Sequence, residues 1–230
     1  MGIHASFEHF TRAAFGADPC AMRNSGLEAI AAPMAIERGR AAMIERSRDQ
    51  IVYLLSGATK LAAAVSDDRE QIVAFHFPGD IISIPADGVH SYLLAALANT
   101  EILVFPAREF FDIAAGDEAM ARRLFDVLPS ALHRCRDKAV ALGRQNAAER
   151  LAGFLIAMAE RIGRLEGSGC IIELPMSRRD ISDSLGLTIE TVSRQLSHLR
   201  EAGLVETQGR SQVAIPNLEM LTRCAGHYAA

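Results

Sequence analysis

LPMSRRDISDSLGLTIETVSRQLSHLREAGLV, residues 174–205, holds two amphipathic segments joined at Gly186. The second predicts a helix in which Ile189, Val192, Leu196 and Leu199 recur at helical spacing as a buried stripe. Away from that stripe, Glu190, Ser193 and Arg194 fall at i, i+3 and i+4 and share one exposed patch. Ser177 and Thr188 each stand just before an apolar-periodic segment, where their hydroxyls can accept from free N–H groups of a helix start. Gly186 lies at the join, where a tight turn favours a residue without a Cβ. Beyond them, LVETQGRSQVAIP reads as a hairpin around Gln208, Gly209 and Arg210. Helix, glycine turn, helix and hairpin make a winged helix-turn-helix.

In such a unit the second helix lies in the major groove of DNA, and its N-terminal residues reach base edges. Arg194 can give two parallel hydrogen bonds to O6 and N7 of a guanine. Glu190 can accept from an exocyclic amino group of cytosine or adenine, and Ser193 is short enough for close approach. The competing reading is a solvated face on an ordinary helical pair. Such a face usually carries interchangeable Lys and Glu. Here a carboxylate, a hydroxyl and a guanidinium occupy adjacent turns, and the capped first helix, the glycine turn and the hairpin favour base reading.

Working toward the N-terminus, NAAERLAGFLIAMAERIG (146–163) predicts an amphipathic helix, EGSGC (166–170) a turn and IIELP a strand. DEAMARRLFDVLPSALHRCRDKAVALG, residues 117–143, predicts a helix of 27 residues, about 40 Å if continuous. Within it Leu124, Leu128, Leu132, Cys135, Ala139 and Leu142 follow steps of four or three, a narrow seam that suits one partner helix. Pro129 is expected to kink or interrupt it. Residues 35–105 are short apolar runs between turn residues, the texture of a small antiparallel barrel or roll. Residues 1–32 are weakly patterned, with helical pieces expected at 5–15 and 26–32. The expected fold class is α+β: an N-terminal β-roll over 1–116, a dimerisation helix over 117–145 and a winged helix-turn-helix over 146–230.

The 230 residues are 50% apolar and 23% charged, an ordinary globular composition. No apolar run approaches the roughly 20 residues of a membrane span, and MGIHASFEHFTR lacks the basic start and apolar core of a secretory signal. It does match the short Met-Gly-x-x-x-Ser myristoylation pattern, which is common by chance. Cys20, Cys135, Cys170 and Cys224 are far apart, with neither a CxxC pair nor zinc spacing, so the expected setting is the cytoplasm. The net charge of −4 disfavours a general nucleic-acid binder. From Cys170 onward the chain has six Arg, no Lys and seven Asp or Glu, so DNA affinity is expected to rest on local contacts and dimerisation. No nucleophile–base pair, metal spacing or phosphate loop points to an enzyme.

These features resemble the Crp/Fnr superfamily of bacterial transcription regulators, and within it the Fnr/FixK branch. SGATKLAAAVSDDREQIVAFHFPGD (56–80) is similar to that family's roll, which binds cyclic nucleotide in some members, and residues 146–163 to the helix after its dimer helix. Residues 174–205 are similar to its DNA-binding signature, with E-x-x-S-R at Glu190, Ser193 and Arg194. The resemblance implies a homodimeric transcription regulator, an activator by expectation, on palindromes of TTGAT-type half-sites. It further implies RNA polymerase as a partner and genes of low-oxygen, respiratory or nitrogen metabolism. The cyclic-AMP branch has an arginine before the glutamate and glycine for the serine. Here Ile189 and Ser193 stand in those places, which disfavours TGTGA-type sites. The same matching puts Ser177, Arg178, Arg179, Thr188 and Thr191 near the DNA backbone, and Gln208 and Arg210 on the wing, positioning without reading sequence. Capping and surface charge are the alternative for these residues.

No cofactor is expected. Asp80 can stand in for the family's nucleotide-binding glutamate, but no arginine occurs between Arg69 and Arg108 to meet a cyclic phosphate. Cluster-bearing relatives use clustered N-terminal cysteines and one before the dimer helix. This chain has only Cys20 at its start, and Leu103 near the fourth position, while a cubane cluster wants four thiolates. His76 and His90 leave haem open, and a haem- or small-molecule-gated regulator of the same superfamily is the alternative reading. Cys135 and Cys170 are the candidates for thiol control.

Overall fold

The computed structural model describes residues 3–16, 26–66, 69–86, 88–209 and 211–226. Two compact units divide the chain, Met1–Leu132 and His133–Ala230.

The first unit is built on seven strands: β1 (Ala32–Ile36), β2 (Gln50–Ser56), β3 (Thr59–Ser66), β4 (Arg69–His76), β5 (Ile81–Ile84), β6 (Tyr92–Ala96) and β7 (Thr100–Pro106). They form two antiparallel sheets, ordered β1-β7-β2-β5 and β4-β3-β6. Strand β2 explains its own unbroken apolar run, because both of its faces are covered. Val52 and Leu54 join Leu61, Ile82, Leu94 and Ile102 in the core that the two sheets share. Ile51, Tyr53 and Leu55 face the other way, into an aromatic layer. That layer comes from α1 (Ile3–Phe10), with Phe7 and Phe10, and from α2 (Ala107–Ala115), with Phe110. Phe10 meets Tyr53 edge-on at a 4.7 Å centroid distance, a geometry favoured by the ring quadrupole, and lies tilted against Phe105 at 5.2 Å.

The expected roll is therefore present, and the differences are at its margins. The first helical piece is α1 followed by a π turn over Thr11–Phe15. The second is only a 3-10 turn, Glu28–Ile30, because β1 starts at Ala32 to pair with β7.

Helix α3 (Glu118–Arg144) is 27 residues long and continues through Pro129, so of the expected kink or interruption the interruption is absent. Proline removes one hydrogen bond, to the carbonyl of Phe125, and this stretch of helix is exposed, so water can satisfy that oxygen. The boundary between the two units falls within α3.

The second unit continues with α4 (Ala147–Ile162), β8 (Arg164–Glu166), β9 (Gly169–Glu173), α5 (Arg178–Leu185), α6 (Ile189–Glu201), β10 (Glu206–Gln208), β11 (Gln212–Ile215) and α7 (Leu218–Cys224). Its sheet is ordered β10-β11-β9-β8, all antiparallel. The turn expected over 166–170 is tighter than that, since Gly169 and Cys170 are drawn into β9 by pairing with β8 and β11. Asn146 opens α4 through a capping box with Glu149, accepting from its N–H at 3.1 Å while Glu149 accepts from the Asn146 N–H at 2.9 Å.

Candidate nucleic-acid interface

Helix α5 begins with a reciprocal cap. Ser177 Oγ accepts from Asp180 N at 3.1 Å, and the Asp180 carboxylate accepts from Ser177 N at 2.8 Å and from Ser177 Oγ at 2.6 Å. Helix α5 ends at Gly186, whose φ of +63° lies in the left-handed region that strains any side chain. Two residues later Thr188 caps α6, accepting from Thr191 N at 3.1 Å. Both expected caps and the glycine turn are thus in place, and they fix where α6 begins.

Val192, Leu196 and Leu199 anchor α6 as buried residues. Ile189 departs from the expected stripe: it is 38% exposed, in the first turn of the helix beyond those three. Glu190, Ser193 and Arg194 are all exposed. No described residue pairs with Ser193 or Arg194, so a donor fork and a hydroxyl stand open on a helix whose opposite face is fixed. The Glu190 carboxyl is held below its usual range by its own backbone N–H and by the Thr188 hydroxyl. It is therefore an anionic acceptor at neutral pH.

The backbone-contact candidates divide differently. Ser177, Thr188 and Thr191 spend their hydroxyls on caps, with 3.0 Å between the two threonine oxygens. Exposed Arg179 lies 3.8 Å from Asp183. Arg178 is half-buried, and that burial lowers its pKa. Gln208 is exposed at the end of β10, while Arg210 lies outside the described residues.

On α3 the ends of the expected seam turn inward. Leu124 packs against the aromatic layer of the first unit. Leu142 is half-buried, its Cδ2 only 3.5 Å from where a Cβ on Gly186 would stand. Leu128, Leu132, Cys135 and Ala139 are exposed, as is Phe125 at 73%. Phe125 is the position the sequence reading missed. It precedes Leu128, Leu132, Cys135 and Ala139 at steps of three, four, three and four, the true heptad alternation.

Cys170 is buried and in contact range of Gly163, and burial raises its thiol pKa. Such a thiol packs rather than reacts. Leu103 is a fully buried residue of β7, and the three described cysteines, Cys135, Cys170 and Cys224, all belong to the second unit. This donor set does not fit a four-thiolate cluster. Cys20 lies outside the described residues. In the roll, a cleft of about 50 Å³ is lined by Ile44, Arg46, Ile84, Ser91 and Tyr92, among others.

A roll, a long helix and a winged helix-turn-helix with an open polar face define a DNA-binding transcription regulator. The Crp-like helix-turn-helix domain matches residues 149–224. The nitrogen fixation regulation protein FixK of Rhizobium meliloti is 34% identical over 173 residues, 75% of this chain and 77% of that one. The transcriptional activatory protein AadR of Rhodopseudomonas palustris is 33% identical over 157 residues, covering 68% and 66% of the two chains. The structure of FixK2 from Bradyrhizobium japonicum superposes with a TM-score of 0.73 at 31% identity, covering 87% of this chain and all of that one. The chain belongs to the Crp/Fnr family, among its FixK-like regulators, and is not an enzyme. No described helix is long and apolar enough to cross a membrane.

One titration follows from the same unit. Lys138 of α3 reaches Ser184 of α5, Nζ to Oγ 3.1 Å, and burial lowers its pKa from 10.5 to about 8, opposed by a weaker effect of Cys135. Between those values the unfolded chain binds the proton and the folded one does not, so stability rises with pH across that window. Below it the cost of burying the ammonium is fully present. Thermal melts from pH 7 to 10.5 should show Lys138→Met more stable than the wild type at pH 7, with the gap closing as pH rises. A constant gap would contradict the assignment.

Proposed function

We propose that the chain acts as a homodimeric transcription activator on palindromes of TTGAT-type half-sites. The observation that carries the reading is the open Glu190, Ser193 and Arg194 face on a capped and packed α6. Arg194 reads the guanine and Glu190 accepts from an amino group across or beside it, while Ser193 lets the helix approach closely. Arg178, Arg179, Gln208 and Arg210 meet phosphates. The caps at Ser177 and Thr188 set the register, as do backbone N–H groups at the two helix starts. The similarity to a nitrogen fixation regulation protein and a transcriptional activatory protein supports an activator of nitrogen-related genes. Respiratory or low-oxygen genes, a cytoplasmic setting and RNA polymerase as a partner complete the proposal.

The dimer forms along α3 through Phe125, Leu128, Leu132, Cys135 and Ala139, a stripe left exposed among the described residues. The functional division is then a roll over 1–116, the dimer helix over 117–145 and the DNA-binding unit over 146–230. Neither cyclic nucleotide nor an iron–sulfur cluster is needed. Control falls to abundance, proteolysis or side-chain chemistry, and for the last Cys135 is exposed in the single chain but covered by the seam in the dimer.

Arg194→Ala should cost roughly 1–3 kcal/mol on a TTGAT-type site and relax the preference at its G·C pair. Arg178→Ala should weaken all sites alike and flatten the salt dependence. Gel shifts against single-base variants separate the two, and unchanged base preference in Arg194→Ala contradicts the reading role.

Leu132→Asp should yield monomers by sedimentation and lose specific binding, because it puts a charge into the centre of the seam. A variant that still dimerises and footprints normally refutes this seam.

A further inference from the structure

Arg150, in the first turn of α4, gathers three backbone carbonyls with one guanidinium. Its Nε donates to Gln145 O at 2.9 Å, its Nη2 to Leu142 O at 3.0 Å and its Nη1 to Leu185 O at 3.0 Å. Leu142 belongs to the last turn of α3, and Leu185 is the final residue of α5. Carbonyls at helix C-termini lack intrahelical partners and carry the negative end of the helix dipole. A planar fork of five donors suits them, and the three donations run in different directions, which a lysine cannot reproduce. The side chain is half-buried, so water competes poorly for these oxygens. Its Nη1 also lies 3.7 Å from where a Cβ on Gly186 would stand, at the turn between the two helices of the reading unit.

The same two helices have a second tie. Lys138 Nζ meets Ser184 Oγ at 3.1 Å, one turn before Leu142 on α3 and one residue before Leu185 on α5. Helices α5 and α6 pack on each other, with Ile181, Leu185, Val192 and Leu196 all buried. A tilt of α5 against the end of α3 therefore carries α6 with it.

We propose that Arg150 is a positioning residue that locks the reading unit to the end of the dimer helix and thereby selects the spacing between half-sites. This rests on the homodimer reading above. Within one half-site Arg150 touches no base and has no part in base choice. Its effect is on where the second half-site must lie, because two reading helices on one axis meet grooves about one helical turn apart.

The test measures the affinity of full-length protein for palindromes whose half-sites are at the best spacing or one base pair nearer or farther, and for a single half-site. Folding is followed by circular dichroism and dimerisation by sedimentation. Arg150→Ala should remain dimeric and keep its base preference within a half-site. Losing charge-assisted bonds, it should bind the best-spaced palindrome roughly tenfold more weakly. Its discrimination against the shifted spacings should collapse, and Arg150→Lys should fall between it and the wild type. Arg164→Ala, which removes an exposed ion pair with Glu166, should leave spacing preference intact. Should Arg150→Ala not fold, Arg150→Lys, which keeps the charge and loses the fork, is read the same way. A folded, dimeric Arg150 variant with the wild-type spacing profile overturns the proposal, as does one weakened equally on every spacing and on the single half-site. A wild type with no spacing preference at all contradicts the homodimer reading itself.

Discussion

Everything proposed for this chain depends on one helix burying one face while leaving the other unoccupied. Val192, Leu196 and Leu199 fasten α6 to its unit, and the Thr188 cap fixes its first turn. A face so held pays little entropy to present Glu190, Ser193 and Arg194 in a set geometry. That matters for a protein of net charge −4, which has little general attraction for a polyanion. Its affinity has to come from well-placed contacts, which the proposed homodimer doubles.

The caps carry more of this than their size suggests. Ser177, Thr188 and Thr191 resemble phosphate contacts in the sequence, yet their hydroxyls hold the helix ends together. A backbone N–H at a capped start still points outward and can meet a phosphate. In the proposed reading these residues act on DNA through the helices they begin. The glycine turn at Gly186 serves the same end, since its left-handed backbone sets the angle between α5 and α6.

The sequence was legible where a local rule and a packed face agreed. The helix-turn-helix, its two caps and its wing follow from periodicity, hydroxyl placement and one glycine, and all appear as expected. The strands around Tyr53 and Leu103 were legible because an apolar run bounded by turn residues has few other uses. What escaped was set by distant partners. Ile189 has the right spacing for the core, but no sequence rule says where the core ends. Leu124 and Phe125 are adjacent and both apolar, and only the aromatic layer that takes up Leu124 leaves Phe125 exposed for the proposed seam. Pro129 obeyed its rule in losing a hydrogen bond, and the helix continued because an exposed carbonyl can turn to water. Arg150 gave no signal, since its partners are backbone oxygens 5, 8 and 35 residues away.

The most direct test of the central claim is selection from random duplex DNA by the aerobically purified protein, without cyclic nucleotide or added metal. The account predicts enrichment of a two-fold palindrome of TTGAT-type half-sites with centres about 10 base pairs apart. No enrichment, enrichment of TGTGA-type half-sites, or enrichment only after cluster reconstitution or nucleotide addition would contradict it.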